Sequence, residues 1–145
     1  VGSRPALELR QAVAPLADLV EGLSALVWSA EQKAAQATGP GAPNPLGLDA
    51  DEAAAVALYS AESQFYKVLN SRLRDHDRHK LAPFLSYLRL MLGVRHKSRD
   101  AAAAASAGPA TVYRGVQLDL VSGGDWSVGA HKTWWGFSSC SETVE

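Results

Sequence analysis

Two short aromatic-flanked segments carry the residues of this sequence best suited to chemistry: Tyr113-Arg114-Gly115-Val116 and Trp134-Trp135-Gly136-Phe137-Ser138-Ser139-Cys140-Ser141. Each reads as a strand that places polar groups where a half-buried strand ordinarily carries apolar ones, and such local rule-breaking is expected at functional sites. Alternation sets Val112, Arg114 and Val116 on one face, so the guanidinium is expected to point inward beside two aliphatic side chains. An inward arginine needs an anionic partner. Its planar fork donates paired hydrogen bonds to a carboxylate or a phosphate. Gly115, next in the chain, leaves the backbone open to the close approach of a flat ligand. Ser138, Ser139 and Ser141 are either a fraying edge or a row of hydroxyls aimed at a ligand hydroxyl. The two segments together suggest a nucleotide site.

Helices must position these segments. Leu9, Val13, Leu16, Val20, Leu23 and Val27 recur at alternating steps of four and three, with Leu19 and Leu26 widening the stripe, which predicts an amphipathic helix. Pro15 interrupts it, so the helix is kinked there or begins there. Residues 38–47 hold three prolines and three glycines and read as a linker. Asp49 and Glu52 then form a capping-box pattern, with Asp51 adding negative charge at the positive end of the helix dipole. Along the helix they open, Val56, Tyr59, Ser63, Tyr66, Asn70 and Leu73 share one face. Asn70 therefore interrupts an apolar stripe, and its plain explanation is that it satisfies a buried polar group.

Residues 72–80 carry charges of both signs and read as a solvated connection. His76 and His79 lie there among aspartates, without a cysteine or further histidine at helical spacing, and no metal site is assigned. Leu81, Phe84, Leu85, Leu88 and Leu92 predict a third helix, with Pro83 in its first turn and Gly93 as its C-cap. The basic run Arg95–Arg99 fits its C-terminal end. The alanines from Ala101 can prolong a helix until Gly108-Pro109 ends it. From Thr111 the composition turns to β-branched, aromatic and glycine residues with turn signals at Ser122-Gly123-Gly124-Asp125, so the expected class is α+β.

Composition narrows the setting. At 145 residues and 47% hydrophobic content the chain has the make-up of a globular domain or part of one. A formal net charge of -1 argues against a nucleic-acid surface, and no apolar run is long enough for a membrane span. The single cysteine, Cys140, excludes an internal disulfide and slightly favours a reducing, cytoplasmic setting. The chain begins without Met, so a secreted protein with a removed leader stays open.

Tyr113-Arg114-Gly115-Val116 followed by Trp135-Gly136-Phe137-Ser138-Ser139-Cys140-Ser141 resembles the arginine and Ser-x-Ser elements of the Arg-Ser-Glu class of mono-ADP-ribosyltransferases. That family includes arginine-specific eukaryotic enzymes and related bacterial toxins. Ala57-Leu58-Tyr59 and Phe65 to Arg74 are similar to the helix preceding the arginine strand there, so the likeness runs over residues 49–145. It implies an α+β fold with N-terminal helices packed on a strand-rich β-sandwich core whose C-terminal part lies outside this sequence. The implied division is 1–48, a helical region and linker, and 49–145, the N-terminal portion of the transferase domain. By the same resemblance NAD is a substrate and a protein arginine the acceptor. Arg114 matches the arginine that holds the dinucleotide phosphate, Gly115 the position whose backbone binds the nicotinamide amide, and Ser139 the serine that fixes the nicotinamide ribose. Asn70 matches a helix asparagine that approaches the nucleotide.

Cleaving ribose from nicotinamide develops an oxocarbenium-like centre, so such a site must also place a carboxylate beside the sugar. The family carries it in a Glu-x-Glu or Gln-x-Glu motif, and this sequence contains neither. Glu142 and Glu145 have the wrong spacing and are read as exposed charges. The 145 residues alone are therefore expected to be inactive, with a second chain or segment completing the site. Two other readings stay open: an inactive NAD-binding relative, and a helical interaction module that docks through residues 9–28.

Overall fold

Pro15 decides how the first helical stripe folds. A computed structural model describes residues 7–105, 108, 111–115, 126–138 and 140–143, and in it α1 spans Leu9–Val13 and gives way to a 3-10 turn, Ala14–Leu16, at that proline. A proline lacks the N–H and crowds the preceding turn, so the α-helical ladder stops. Gly22, at a left-handed φ of 68°, then lets the chain turn into α2, Leu23–Thr38. The six stripe residues from Leu9 to Val27 are nonetheless all buried. The predicted spacing marks the core face across α1, the 3-10 turn and α2 instead of along one helix. Leu19, which widens the stripe, is exposed.

α3, Ala50–Ser60, begins with the capping box expected from the sequence: Asp49 accepts from the Glu52 N–H at 2.8 Å and the Asp49 N–H donates to Glu52 at 3.0 Å. α2 packs along α3, and both bring buried small residues, Ala30 and Ala34 on one and Ala53 to Ala55 on the other. The expected continuous helix through Leu73 is broken. Ala61 is extended, and Ser63 caps a new helix, α4, Gln64–Arg74, by accepting from the Phe65 N–H at 3.3 Å. A serine that offers its own oxygen to the backbone competes with helix continuation, and the pattern of apolar residues does not register this.

A 3-10 segment, Arg78–Phe84, contains Pro83 and leads into α5, Leu85–Ala104. Gly93 lies inside α5 and is not its cap. A Cβ at Gly93 would stand 2.8 Å from Glu52 Oε1, so the glycine lets α5 pass close to the start of α3. The buried residues around α5 are Phe84, Tyr87 and Leu90, while Leu85 and Leu92 of the expected stripe are exposed. Phe65 meets the Tyr87 ring edge-on at 4.8 Å and the Phe84 ring at 6.4 Å, forming an aromatic centre for this half of the core.

α1 is too short to hold itself, and Asp51 supplies the missing cap from a distance. Its Oδ1 accepts from the Leu9 N–H at 2.7 Å across 42 positions of sequence, taking up one of the first-turn donors left unpaired in any helix. Asp51→Ala is expected to cost about 1 kcal/mol, as loss of an N-cap does. A urea midpoint unchanged from the parent would show that α1 is held by packing alone.

The helices belong to one compact unit, Val1–Ala107, and Gly108–Glu145 forms another. In the second, the strand-rich β-sandwich core is not found. Among the described residues there are five α-helices and no strand, and Tyr113 and Ser141 form an isolated antiparallel bridge. A strand persists when neighbours ladder along it and one face is buried. Here Val112, Tyr113, Trp134 and Trp135 are all exposed, so β-forming composition is present without the burial that would use it. No helix among the described residues is long and apolar enough to cross a membrane.

Candidate functional site

The arginine segment and the serine segment meet at one residue pair. The Tyr113 N–H donates to the Ser141 carbonyl at 2.7 Å and the Ser141 N–H returns a bond to the Tyr113 carbonyl at 2.9 Å. This doubly bonded pair fixes the register of the two segments and sets Arg114 and Gly115 just beyond it. Ser141 Oγ donates to the Thr143 carbonyl at 2.7 Å, so that hydroxyl serves its own turn. Ser139 lies outside the described residues. Its neighbour Ser138 is half-buried and accepts a hydrogen bond from Trp134 Nε1.

Arg114 does not point inward. It is exposed, as Val112 and Tyr113 are, so alternation along this segment separates no buried face from an open one. Its guanidinium carbon stands 5.8 Å from the centre of the Trp134 ring, within the range of a cation–π contact. Trp126 meets Trp134 with ring centres 6.1 Å apart at 64°, and Lys132 Nζ lies 5.8 Å from the Trp126 ring. Two tryptophans and two cations therefore form one exposed group. The signal in the sequence is the gathering of Trp126, Trp134 and Trp135 within a short stretch after Arg114. Gly115 has nothing within 4 Å of a Cβ built on it, so its backbone is open to approach from outside.

Asn70 sits in the helical unit, buried on α4, and its amide donates to Tyr59 Oη at 2.9 Å. The Tyr59 ring in turn meets Tyr66 edge-on at 6.3 Å. This bond links α3 to α4 across the Ser63 break, and burial of a polar amide calls for such a partner. Glu142 is exposed.

The arrangement around Arg114 can do two things chemically. An exposed guanidinium at cation–π distance from an indole has N–H donors that an anion with paired oxygens can accept from. The open backbone at Gly115 adds room beside it for a flat polar group. No groups of three or more histidine, cysteine, aspartate or glutamate residues placed to hold a metal ion occur among the described residues.

Comparison with protein families matches residues 20–133 to the model described as NAD:arginine ADP-ribosyltransferase. The matched stretch takes in Asn70, Arg114 and Gly115 and stops ahead of Trp134. No curated protein and no solved structure matches the chain.

Proposed function

The chain belongs to the NAD:arginine ADP-ribosyltransferase family, and on that premise we propose that it serves transfer of ADP-ribose from NAD to an arginine side chain of a protein acceptor. The bond between C1′ of the ribose and the nicotinamide nitrogen breaks, and its electron pair leaves with nicotinamide. An acceptor guanidinium nitrogen forms the new bond to C1′ and gives up a proton. In this reading Arg114 receives the pyrophosphate, the Gly115 backbone meets the nicotinamide amide, and Ser139 holds the ribose. The nucleotide contacts are left to these three, because burial and the bond to Tyr59 are reason enough for an asparagine at position 70.

One observation supports the proposal: the arginine segment, which lies within the stretch that matches the family, is paired through Tyr113 and Ser141 to the serine segment that follows that stretch. Transition-state stabilisation in this chemistry needs the sugar held rigidly while charge develops at C1′. A fixed register between the segments that carry the arginine and the serines serves such holding.

The test is a calorimetric titration with NAD. Arg114→Ala is expected to weaken binding roughly tenfold or more, the size of a lost charge-assisted hydrogen-bond pair at about 1.5–3 kcal/mol. Arg114→Lys should fall between, since an ammonium keeps the charge but not the fork. Equal affinity in all three proteins removes Arg114 as the phosphate anchor. With no Glu-x-Glu or Gln-x-Glu motif in the 145 residues, the same polypeptide is expected to release no nicotinamide above background, and turnover by it alone would overturn that expectation.

A further inference from the structure

Trp134 is placed to do more than fill space. It is half-exposed at 51%, yet it is held from two sides: its Nε1–H donates to Ser138 Oγ, and the Trp126 ring meets it edge-on. An exposed tryptophan gains little from burial, so a purely structural role explains neither its position nor its two supports. Its ring face is occupied by the Arg114 guanidinium at 5.8 Å. The partner is thus the one cation that the Proposed function assigns to the pyrophosphate.

From this geometry we propose that Trp134 is a positioning residue for Arg114, fixing the guanidinium so that its donors are presented together to the pyrophosphate of NAD. This rests on Arg114 being the phosphate anchor. The physical argument concerns what an unsupported arginine loses. A long, exposed side chain samples many rotamers, and ordering it on binding subtracts from affinity. The Tyr113–Ser141 bridge already fixes the backbone beside Arg114, leaving the side chain as the freedom that remains. An indole face removes much of it while leaving the in-plane N–H groups open, because the cation–π contact uses the guanidinium face and phosphate uses its edge. Ser138 then acts at one further remove, by orienting the indole. The serine motif and the arginine are coupled in this way through the tryptophan as well as through the backbone bridge.

Two readouts on the full chain test this, one without ligand and one with NAD. In the ligand-free protein the Arg114 side-chain Nε–H resonance carries a ring-current shift from the indole, and Trp134→Ala is expected to move it toward the random-coil position. In titration with NAD, Trp134→Ala is expected to weaken binding about fivefold, a typical exposed cation–π contribution. Trp134→Phe, which keeps a ring face but not the Ser138 bond, should recover at least half of that loss. In an Arg114→Ala background the same Trp134→Ala change should have no further effect on affinity.

An Arg114 resonance indifferent to Trp134→Ala, or an affinity loss that persists undiminished in the Arg114→Ala background, overturns the positioning role. Failure of phenylalanine to recover affinity overturns it too, because a ring face would then not be what matters. Should Arg114→Ala itself leave NAD binding unchanged, the phosphate-anchor reading falls and takes this proposal with it. A normal Arg114 effect with no Trp134 effect sinks the positioning role alone.

Discussion

Tyr87→Ala is expected to lower the stability of the helical unit by about 3–5 kcal/mol, the usual cost of removing a large buried aromatic side chain. Tyr87 is fully buried on α5, its ring packs edge-on against Phe65, and its hydroxyl donates to the Ala55 carbonyl of α3 at 2.7 Å. Tyr87→Phe separates the two contributions. It keeps the ring contact and removes one hydrogen bond, so about 1 kcal/mol is expected. Alkaline pH provides an independent check. Burial raises the Tyr87 phenol pKa well above its ordinary value of 10.0, because the anion is poorly solvated there. With the folded pKa raised, the stabilising contribution is fully present below pH 10 and is lost as pH climbs from there toward the folded value. Above pH 10 the unfolded chain releases a proton that the folded one retains, so stability falls by about 1.4 kcal/mol per pH unit from this group. Urea midpoints between pH 9 and 11.5 should steepen downward in the parent and less so in Tyr87→Phe. Parallel curves would mean that the phenol is not sequestered as the structure has it.

Much of the helical unit was legible because burial leaves a periodic trace. The stripe from Leu9 to Val27 named six residues that are all buried, and the Asp49–Glu52 pair named a helix start that forms as expected. What failed was continuity. Spacing by threes and fours survives a break when the elements on both sides face the same core, so Pro15 could divide a helix without disturbing the apolar pattern; across Ser63 the expected face shifted, because Leu58, Phe65 and Leu69 are buried and, of the six residues named there, Asn70 alone is. Gly93 misled for a different reason. A glycine near the end of an apolar stripe looks like a cap, whereas its use here is set by Glu52, 41 positions earlier in the chain and visible only once α3 and α5 are packed.

The second unit was expected to be strand-rich, and its described residues form no strand. β-branched and aromatic side chains record a preference for pleated, half-buried surfaces, and that preference becomes a strand only when a neighbouring ladder and a covering layer exist. Tyr113 and Ser141 found each other, while Val112, Trp134 and Trp135 stayed exposed. The same exposure turned Arg114 from an expected inward group into one resting on an indole. Family membership therefore rests on the sequence match, and the site's local geometry adds the pairing of its two segments and the tryptophan beside the arginine.

Lys97→Met is expected to cost about 2 kcal/mol, which is unusual for a lysine whose side chain is 38% exposed. The reason lies with its partner. Glu52 is buried at 7%, and its carboxylate is held by the Lys97 ammonium at 2.5 Å and by the Asp49 N–H at 3.0 Å. Lys97 also donates to the Gly47 carbonyl at 3.0 Å, so one ammonium fastens the turn before α3, the cap of α3 and the middle of α5. Removing the cation leaves a desolvated carboxylate with half its support, and an uncompensated buried charge is what makes breaking such a pair expensive. The full penalty for a dry interior is about 3–5 kcal/mol, and the lower figure here reflects that water reaches the lysine end. Because the cost resides in the stranded charge, neutralising Glu52 as well should reverse part of it. Lys97→Met combined with Glu52→Gln is therefore expected to be more stable than Lys97→Met alone, even though it carries one more substitution. Chemical denaturation of the four proteins of that cycle decides the matter. If the double variant is less stable than Lys97→Met by the full cost of Glu52→Gln measured alone, the two groups act independently, and α3 and α5 are joined by packing around Gly93 instead of by charge.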